Sequence, residues 1–145
     1  MTSVTIVIQL SYKYGVVMAI KIHIVEDDIQ LLDMYSRKFE LEGFDVTIAE
    51  DGEKAIDILR EFVPDVAILD IMMPKVDGLE VLRFIKSKPE LENVITIMLT
   101  NKSDQTTAEQ IYGLGATEYL VKAEFTPLEV VNKVRELIKI YTTEK

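Results

Sequence analysis

The sequence contains no cysteine and one histidine, His23, in 145 residues. The first absence removes disulfides, thiolate zinc sites and thiol nucleophiles. The second removes any metal site built from several imidazoles. A bound metal would be held by oxygen ligands, which suits Mg²⁺, Ca²⁺ or Mn²⁺. Basic residues are outnumbered, 16 Lys and Arg against 25 Asp and Glu, for a net charge of -9. Such a surface repels phosphate, so broad nucleic-acid binding and attachment to an acidic membrane are not expected. No apolar run is long enough to span a bilayer, and there is no low-complexity stretch, repeat or linker.

The chain is 48% hydrophobic and 28% charged, the balance of a globular protein, and its length suits one domain with a real core. The N-terminal stretch stands apart. Val4–Leu10 and Gly15–Ile20 are apolar runs split by Ser11–Tyr14, with no positive segment ahead of them as a secretory signal would have. Residues 1–17 read either as a flexible or strand-like extension, or as sequence upstream of a natural start at Met18. The domain is expected at 18–145 and, since few residues follow the last helical pattern, as a stand-alone unit.

From Ala19 onward two textures alternate. Short β-branched runs occur at Ile20–Val25, Phe44–Ala49, Val66–Leu69, Val94–Leu99 and Glu118–Val121. Between them apolar residues recur at helical spacing, as in Leu31, Leu32, Tyr35 and Phe39, or Ala55, Ile56, Leu59 and Phe62. Asp28, Asp51, Asp77, Ser103 or Asp104, and Thr126 stand where N-caps belong, and Pro127 suits a first helical position. Gly43 and Gly113 are placed as C-cap glycines. The pattern predicts five βα units. Strands this apolar are buried on both faces, so the sheet is parallel, doubly wound and covered by helices on each side.

Sites in such sheets lie beyond the carboxyl ends of the strands. There the sequence places Glu26-Asp27-Asp28, Asp70, Thr100 and Lys122. Carboxylates that close raise one another's pKa unless a cation neutralises them, and Mg²⁺ is typically held by one or two carboxylates plus a phosphate. An Asp can attack phosphorus and become an aspartyl phosphate. Phosphoryl transfer then asks mainly for positioning and charge stabilisation: Lys122 supplies a cation, Thr100 a hydroxyl, and the backbone N–H groups just after Asp70 and Thr100 would be free for phosphoryl oxygens. Each residue alone has a plainer reading. An acidic pair after a strand is commonly a solvated turn with an N-cap, which suffices for Asp28. His23, inside the first strand, reads as packed, and Met72 and Met73 as loop packing, because a thioether is a poor ligand for a hard ion. Joint placement at four strand ends is what points to chemistry.

These residues resemble the receiver domains of two-component response regulators, the CheY-like family, over roughly Met18 to Ile140. The resemblance rests on Ile24-Val25-Glu26-Asp27-Asp28, on Val66 to Gly78 with Asp70 and Pro74 within it, on Ile97-Met98-Leu99-Thr100, and on Tyr119-Leu120-Val121-Lys122. It implies an α/β fold, a flavodoxin-like three-layer sandwich with a five-stranded parallel sheet in the order 2-1-3-4-5 and five helices. It further implies that Asp70 is the phospho-acceptor and that Mg²⁺ is held by Asp27 directly, by Glu26 through water, by Asp70 and by the Met72 carbonyl. Thr100 would be the switch hydroxyl that moves toward the phosphoryl group, Lys122 the salt-bridge partner of that group, and Tyr119 the switch aromatic. Pro74 and Gly78 would shape the loop, and Met72 and Lys102 match positions that tune dephosphorylation. The implied partners are a sensor histidine kinase or histidine phosphotransfer protein and a separate effector, with no direct nucleic-acid or membrane contact, in the cytoplasm. Such a domain catalyses only its own phosphorylation and dephosphorylation.

The chain departs from that family at Ala123, where a proline after a cis bond is usual. A cis bond before a non-proline costs about 3 kcal/mol, so either that cost is met or the loop is trans. Other functions compete. A receiver-like binding module could act without phosphorylation, though the set Asp27, Asp70, Thr100 and Lys122 argues against it. An FMN-binding protein would want a phosphate-cradling loop after the first strand, where three acids stand. A haloacid-dehalogenase-type phosphatase would need a second acid where Met72 lies.

Overall fold

The computed structural model describes residues 19–143; the readings offered for residues 1–17 lie outside them. Five parallel strands, β1 (Lys21–Val25), β2 (Asp45–Ala49), β3 (Val66–Leu69), β4 (Ile95–Thr100) and β5 (Glu118–Val121), form one sheet in the order β2-β1-β3-β4-β5. The helices are α1 (Ile29–Leu41), α2 (Gly52–Leu59), α3 (Gly78–Ser87), α4 (Gln105–Gly113) and α5 (Pro127–Thr143). This is the expected doubly wound sandwich in the expected strand order. Among the described residues no helix is long and apolar enough to cross a membrane.

Neighbouring residues of a strand point to opposite faces, so the sheet divides its apolar residues between two cores. Ile22, Ile24, Val66, Ile68, Ile97 and Leu99 pack with Leu32 and Phe39 of α1 and Val130, Val134 and Leu137 of α5. Val25, Ala67, Leu69 and Met98 pack on the other face with Ala55 of α2, Leu82 and Ile85 of α3 and Ile111 of α4. Covering both faces leaves the sheet's top edge, at the strands' carboxyl ends, as the place where polar residues collect.

Helix caps fix where each loop leaves that edge. Asp28, Asp51, Asp77 and Asp104 accept backbone N–H groups of the first turns of α1 to α4, which settles the choice between Ser103 and Asp104. Thr126 and Glu129 cap α5 reciprocally, N–H to side chain in each direction. The limits of β1, β2 and β4 shift by one residue from the sequence reading, and two helix ends differ from it as well. α2 ends at Leu59, so Phe62 falls in the following loop. The C-terminal glycine of α4 is Gly115 rather than Gly113. Gly113 is its last helical residue, while Gly115 takes φ +90°. The Gly115 and Ala116 N–H groups then bond back to Tyr112 and Ile111. α1 ends in the same way at Gly43, φ +94°, the Schellman arrangement in which a left-handed residue turns the chain onto the helix's last carbonyls.

Candidate acidic site at the strand ends

β1 and β3 are adjacent, in register from Ile22 with Val66 to Val25 with Leu69. The residues that follow them are therefore side by side. Carboxylate oxygens of Glu26, Asp27 and Asp70 lie within 4.8 Å of one another, a grouping able to hold a metal ion. The first two cannot be confused with Asp28. Its carboxylate is committed to capping α1, accepting the N–H groups of Gln30 at 3.0 Å and Leu31 at 3.2 Å.

The burial of the three acids is uneven. Glu26 is 3% exposed and Asp70 5%, while Asp27 is exposed. Lys122 enters from the end of β5, across β4. Its ammonium donates to Asp70 Oδ2 at 2.7 Å and also to Glu26 Oε1. Its side chain is itself only 11% exposed. One cation thus faces two buried carboxylates. Burial drives the Glu26 pKa up to about 7, against the pull of Lys122 and with a further push from Asp70. For Lys122, burial pulls downward but the bonds to Asp70 and Glu26 outweigh it, and its pKa is raised. Negative charge exceeds positive in a confined place, which is the electrostatic condition for recruiting a cation.

Lys122 reaches this position without the bond that the resemblance made an open question. No peptide bond among the described residues is cis, so Lys122–Ala123 is trans, and residues 122–124 form a single 3-10 turn. Thr100 ends β4 and is fully buried. Its hydroxyl accepts the Lys102 N–H at 3.3 Å, as Asp70 Oδ1 accepts the Met72 N–H at 3.1 Å. These two N–H groups, of Met72 and Lys102, turn onto the nearest side-chain oxygen, because an unpaired backbone donor is costly. Tyr119 lies half-buried, its ring against the α2–α4 core and its hydroxyl donating to the Lys102 carbonyl. Met72 is exposed, beside an open depression of about 470 Å³ that Pro74 and Lys102 also line.

His23, read as packed, is fully buried and away from this edge, with Nδ1 2.8 Å from Thr47 Oγ1. Three features were not foreseen. Glu26 shares Lys122 with Asp70. Asn101 Oδ1 accepts the Ala123 N–H at 3.0 Å. Gly52 and Gly78 wall the loop after β3 so closely that a Cβ would lie 2.2 Å from the Val76 oxygen and 2.1 Å from the Asp70 oxygen respectively. For Gly78 the resemblance had implied a loop-shaping role; for Gly52 the only sequence signal was a glycine at an N-terminal helical position.

Comparison with known proteins agrees with this geometry. Residues 22–135 match the response regulator receiver domain family. The chain is 36% identical over 121 residues to the DNA-binding response regulator MtrA of Mycobacterium leprae (strain TN), a match covering 82% of this chain and 51% of that protein. It therefore spans about half the length of that relative. Among solved structures, the CheY-like response regulator receiver domain protein of Methanospirillum hungatei JF-1 aligns with a TM-score of 0.80 at 26% identity, over 88% of this chain and 100% of that one. The Vibrio cholerae chemotaxis protein CheY4 aligns with a TM-score of 0.78 at 26% identity, over 83% and 99%.

Proposed function

This chain belongs to the response regulator receiver domain family, and from that premise we propose that it is a phosphorylation-dependent signalling switch in a two-component phosphorelay. Asp70 takes a phosphoryl group from a histidine kinase or a histidine phosphotransfer protein. An Asp70 oxygen attacks phosphorus, the P–N bond to the donor imidazole breaks as the P–O bond forms, and the leaving imidazole takes up a proton. The observation that carries the reading is the contact of Lys122 with Asp70 at 2.7 Å, inside a group of three carboxylates and from the far side of β4.

Mg²⁺ fits the donor set, which is all oxygen and carries excess negative charge. Glu26, Asp27, Asp70 and the Met72 carbonyl would hold it, and when bound it supplies charge neutralisation for the phosphoryl oxygens. The protein's own groups do the rest. Lys122 provides a point charge at the oxygens of the acceptor, and Thr100 provides a hydroxyl donor. A new phosphoryl group adds charge and acceptor oxygens at one place, so Thr100 and Lys122 are drawn to it. Thr100 then leaves the Lys102 N–H, Tyr119 gives up the Lys102 carbonyl, and its ring turns into the space vacated. The face made by α4, β5 and α5 is thereby biased toward a second arrangement, by no more than the phosphoryl group's preference for that arrangement. An effector reads that face, and net charge keeps nucleic acid from being this domain's direct ligand.

The test is incubation with Mg²⁺ and acetyl phosphate, followed by intact mass, with Asp70→Asn alongside. One phosphoryl group should appear on the wild type only and should be absent when Mg²⁺ is chelated beforehand. Addition to Asp70→Asn would displace Asp70 from its role. No addition under any condition would leave a module that acts by constitutive protein contact.

A further inference from the structure

The two loops that carry Thr100 and Lys122 are tied together beside the acidic site. The tie runs from the side chain of Asn101, the residue after Thr100, to the backbone N–H of Ala123, the residue after Lys122, at 3.0 Å. A second tie joins the same region, the Tyr119 hydroxyl to the Lys102 carbonyl. Lys122 opens a 3-10 turn whose own closing bond runs from the Phe125 N–H to the Lys122 carbonyl at 3.3 Å. The leading N–H groups of any helical turn have no partner within it, so the Ala123 N–H needs an acceptor from elsewhere, and Asn101 provides it. Fixing that N–H fixes the plane of the Lys122–Ala123 peptide, and with it the direction in which the lysine side chain leaves the backbone. The stem beyond is flexible, so its starting direction decides how often the ammonium meets Asp70.

We propose that Asn101 is a positioning residue. Its side-chain oxygen holds the trans Lys122–Ala123 peptide so that Lys122 reaches Asp70 and Glu26, and it joins that peptide to the loop that begins at Thr100. The inference rests on the reading of Asp70 as phospho-acceptor. It makes the two loops one unit: displacement of Thr100 toward Asp70 pulls on the backbone of Lys122 as well. The Asn101 side-chain oxygen acts on the acceptor carboxylate only through that peptide.

The test is a double-mutant cycle in the full chain, with two readouts. In the first, Mg²⁺ and acetyl phosphate are added and the rate of phosphoryl gain is followed by intact mass. Asn101→Ala should slow it roughly threefold to tenfold, the range expected for one neutral hydrogen bond. Asn101→Asp keeps the accepting oxygen and should recover most of the rate. Ala123→Pro removes the N–H, and in that background Asn101→Ala should cost nothing more. Equal slowing in both backgrounds would mean a general structural role and overturn the proposal. The second readout needs no phosphoryl chemistry: acetylation of the Lys122 amine by N-hydroxysuccinimidyl acetate, mapped by peptide mass. It should run at least threefold faster in Asn101→Ala than in wild type, with no such difference between Ala123→Pro and the double variant. Unchanged Lys122 reactivity would overturn the proposal too. A wild type that takes no phosphoryl group fails the functional reading alone, since the acetylation cycle still decides the role of Asn101.

Discussion

Lys122 and Asp70 are 52 positions apart in the sequence and 2.7 Å apart in the structure, one on each side of β4. The same ammonium serves Glu26, so it partly satisfies two buried acids and fully satisfies neither. This shared cation sets the character of the site. Removing one partner of a buried charge pair exposes the other to its full desolvation penalty, whereas adding a second cation relieves it.

Replacing Lys122 by Met keeps most of the aliphatic stem and removes only the charge. Glu26 and Asp70 then need a cation more, so Mg²⁺ should bind roughly tenfold more tightly, about 1.4 kcal/mol. Phosphoryl gain should persist at a lower rate, and amide exchange over residues 105–121 should no longer respond to it. Calorimetric titration and exchange mass spectrometry read the two effects. Unchanged Mg²⁺ affinity together with a normal exchange response would show that Lys122 has no part in the site.

Gly52→Ala tests the packing of α2 against the loop after β3. By helix propensity alone the change should stabilise by about 1 kcal/mol. The new Cβ would however stand 2.2 Å from the Val76 oxygen, a backbone atom that cannot swing aside. Overpacking wins, and the net loss should be about 1–3 kcal/mol in urea unfolding. Because that loop also carries Met72, Mg²⁺ affinity should fall as well. A stabilised variant with unaltered Mg²⁺ binding would mean that the loop yields at little cost.

Strand positions were legible because buried parallel strands leave near-continuous β-branched runs such as Val66–Leu69, and the helices because caps such as Asp28 and Asp77 precede apolar spacing. The acids were legible for a simpler reason: a strand's last residue must sit at the sheet's edge. Thr100 follows the same rule as the last residue of β4. What escaped were bonds between loops. Nothing in the spacing of Asn101 and Ala123 announces that a side-chain oxygen meets a backbone N–H 22 positions away, and no periodicity reports that Gly52 abuts Val76. Such contacts depend on where whole helices settle, which the pattern within each helix does not encode.

Lys75 carries a positive φ of 66°, within the loop between β3 and α3. Side chains that branch at Cβ tolerate that region worst, and Asn tolerates it well. Lys75→Val should therefore destabilise by about 1–2 kcal/mol while Lys75→Asn stays within about 0.5 kcal/mol of wild type. Paired thermal melts make the comparison, and equal stability of the two variants would mean that the loop relaxes out of the left-handed conformation.

His23 supplies a pH dependence separate from the acidic site. Thr47 Oγ1 lies 3.5 Å from the Ile22 carbonyl, to which it donates, so it accepts from His23 Nδ1–H at 2.8 Å. Burial keeps the ring neutral near pH 7, and its Nε2 is buried without a hydrogen-bond partner among the described residues. Burial lowers the pKa from 6.5 to about 4, opposed by the Thr47 contact. Between those two values the unfolded chain binds the proton and the folded chain does not. The neutral ring's contribution is therefore complete above pH 6.5 and is lost as pH falls toward 4, by up to about 3 kcal/mol. His23→Gln offers a similar hydrogen bond with no titration. Urea unfolding of both proteins from about pH 7.5 down to about pH 4.5 should show the wild type losing roughly 2–3 kcal/mol relative to the variant. Parallel curves would mean that the folded protein accommodates a charged imidazole inside β1.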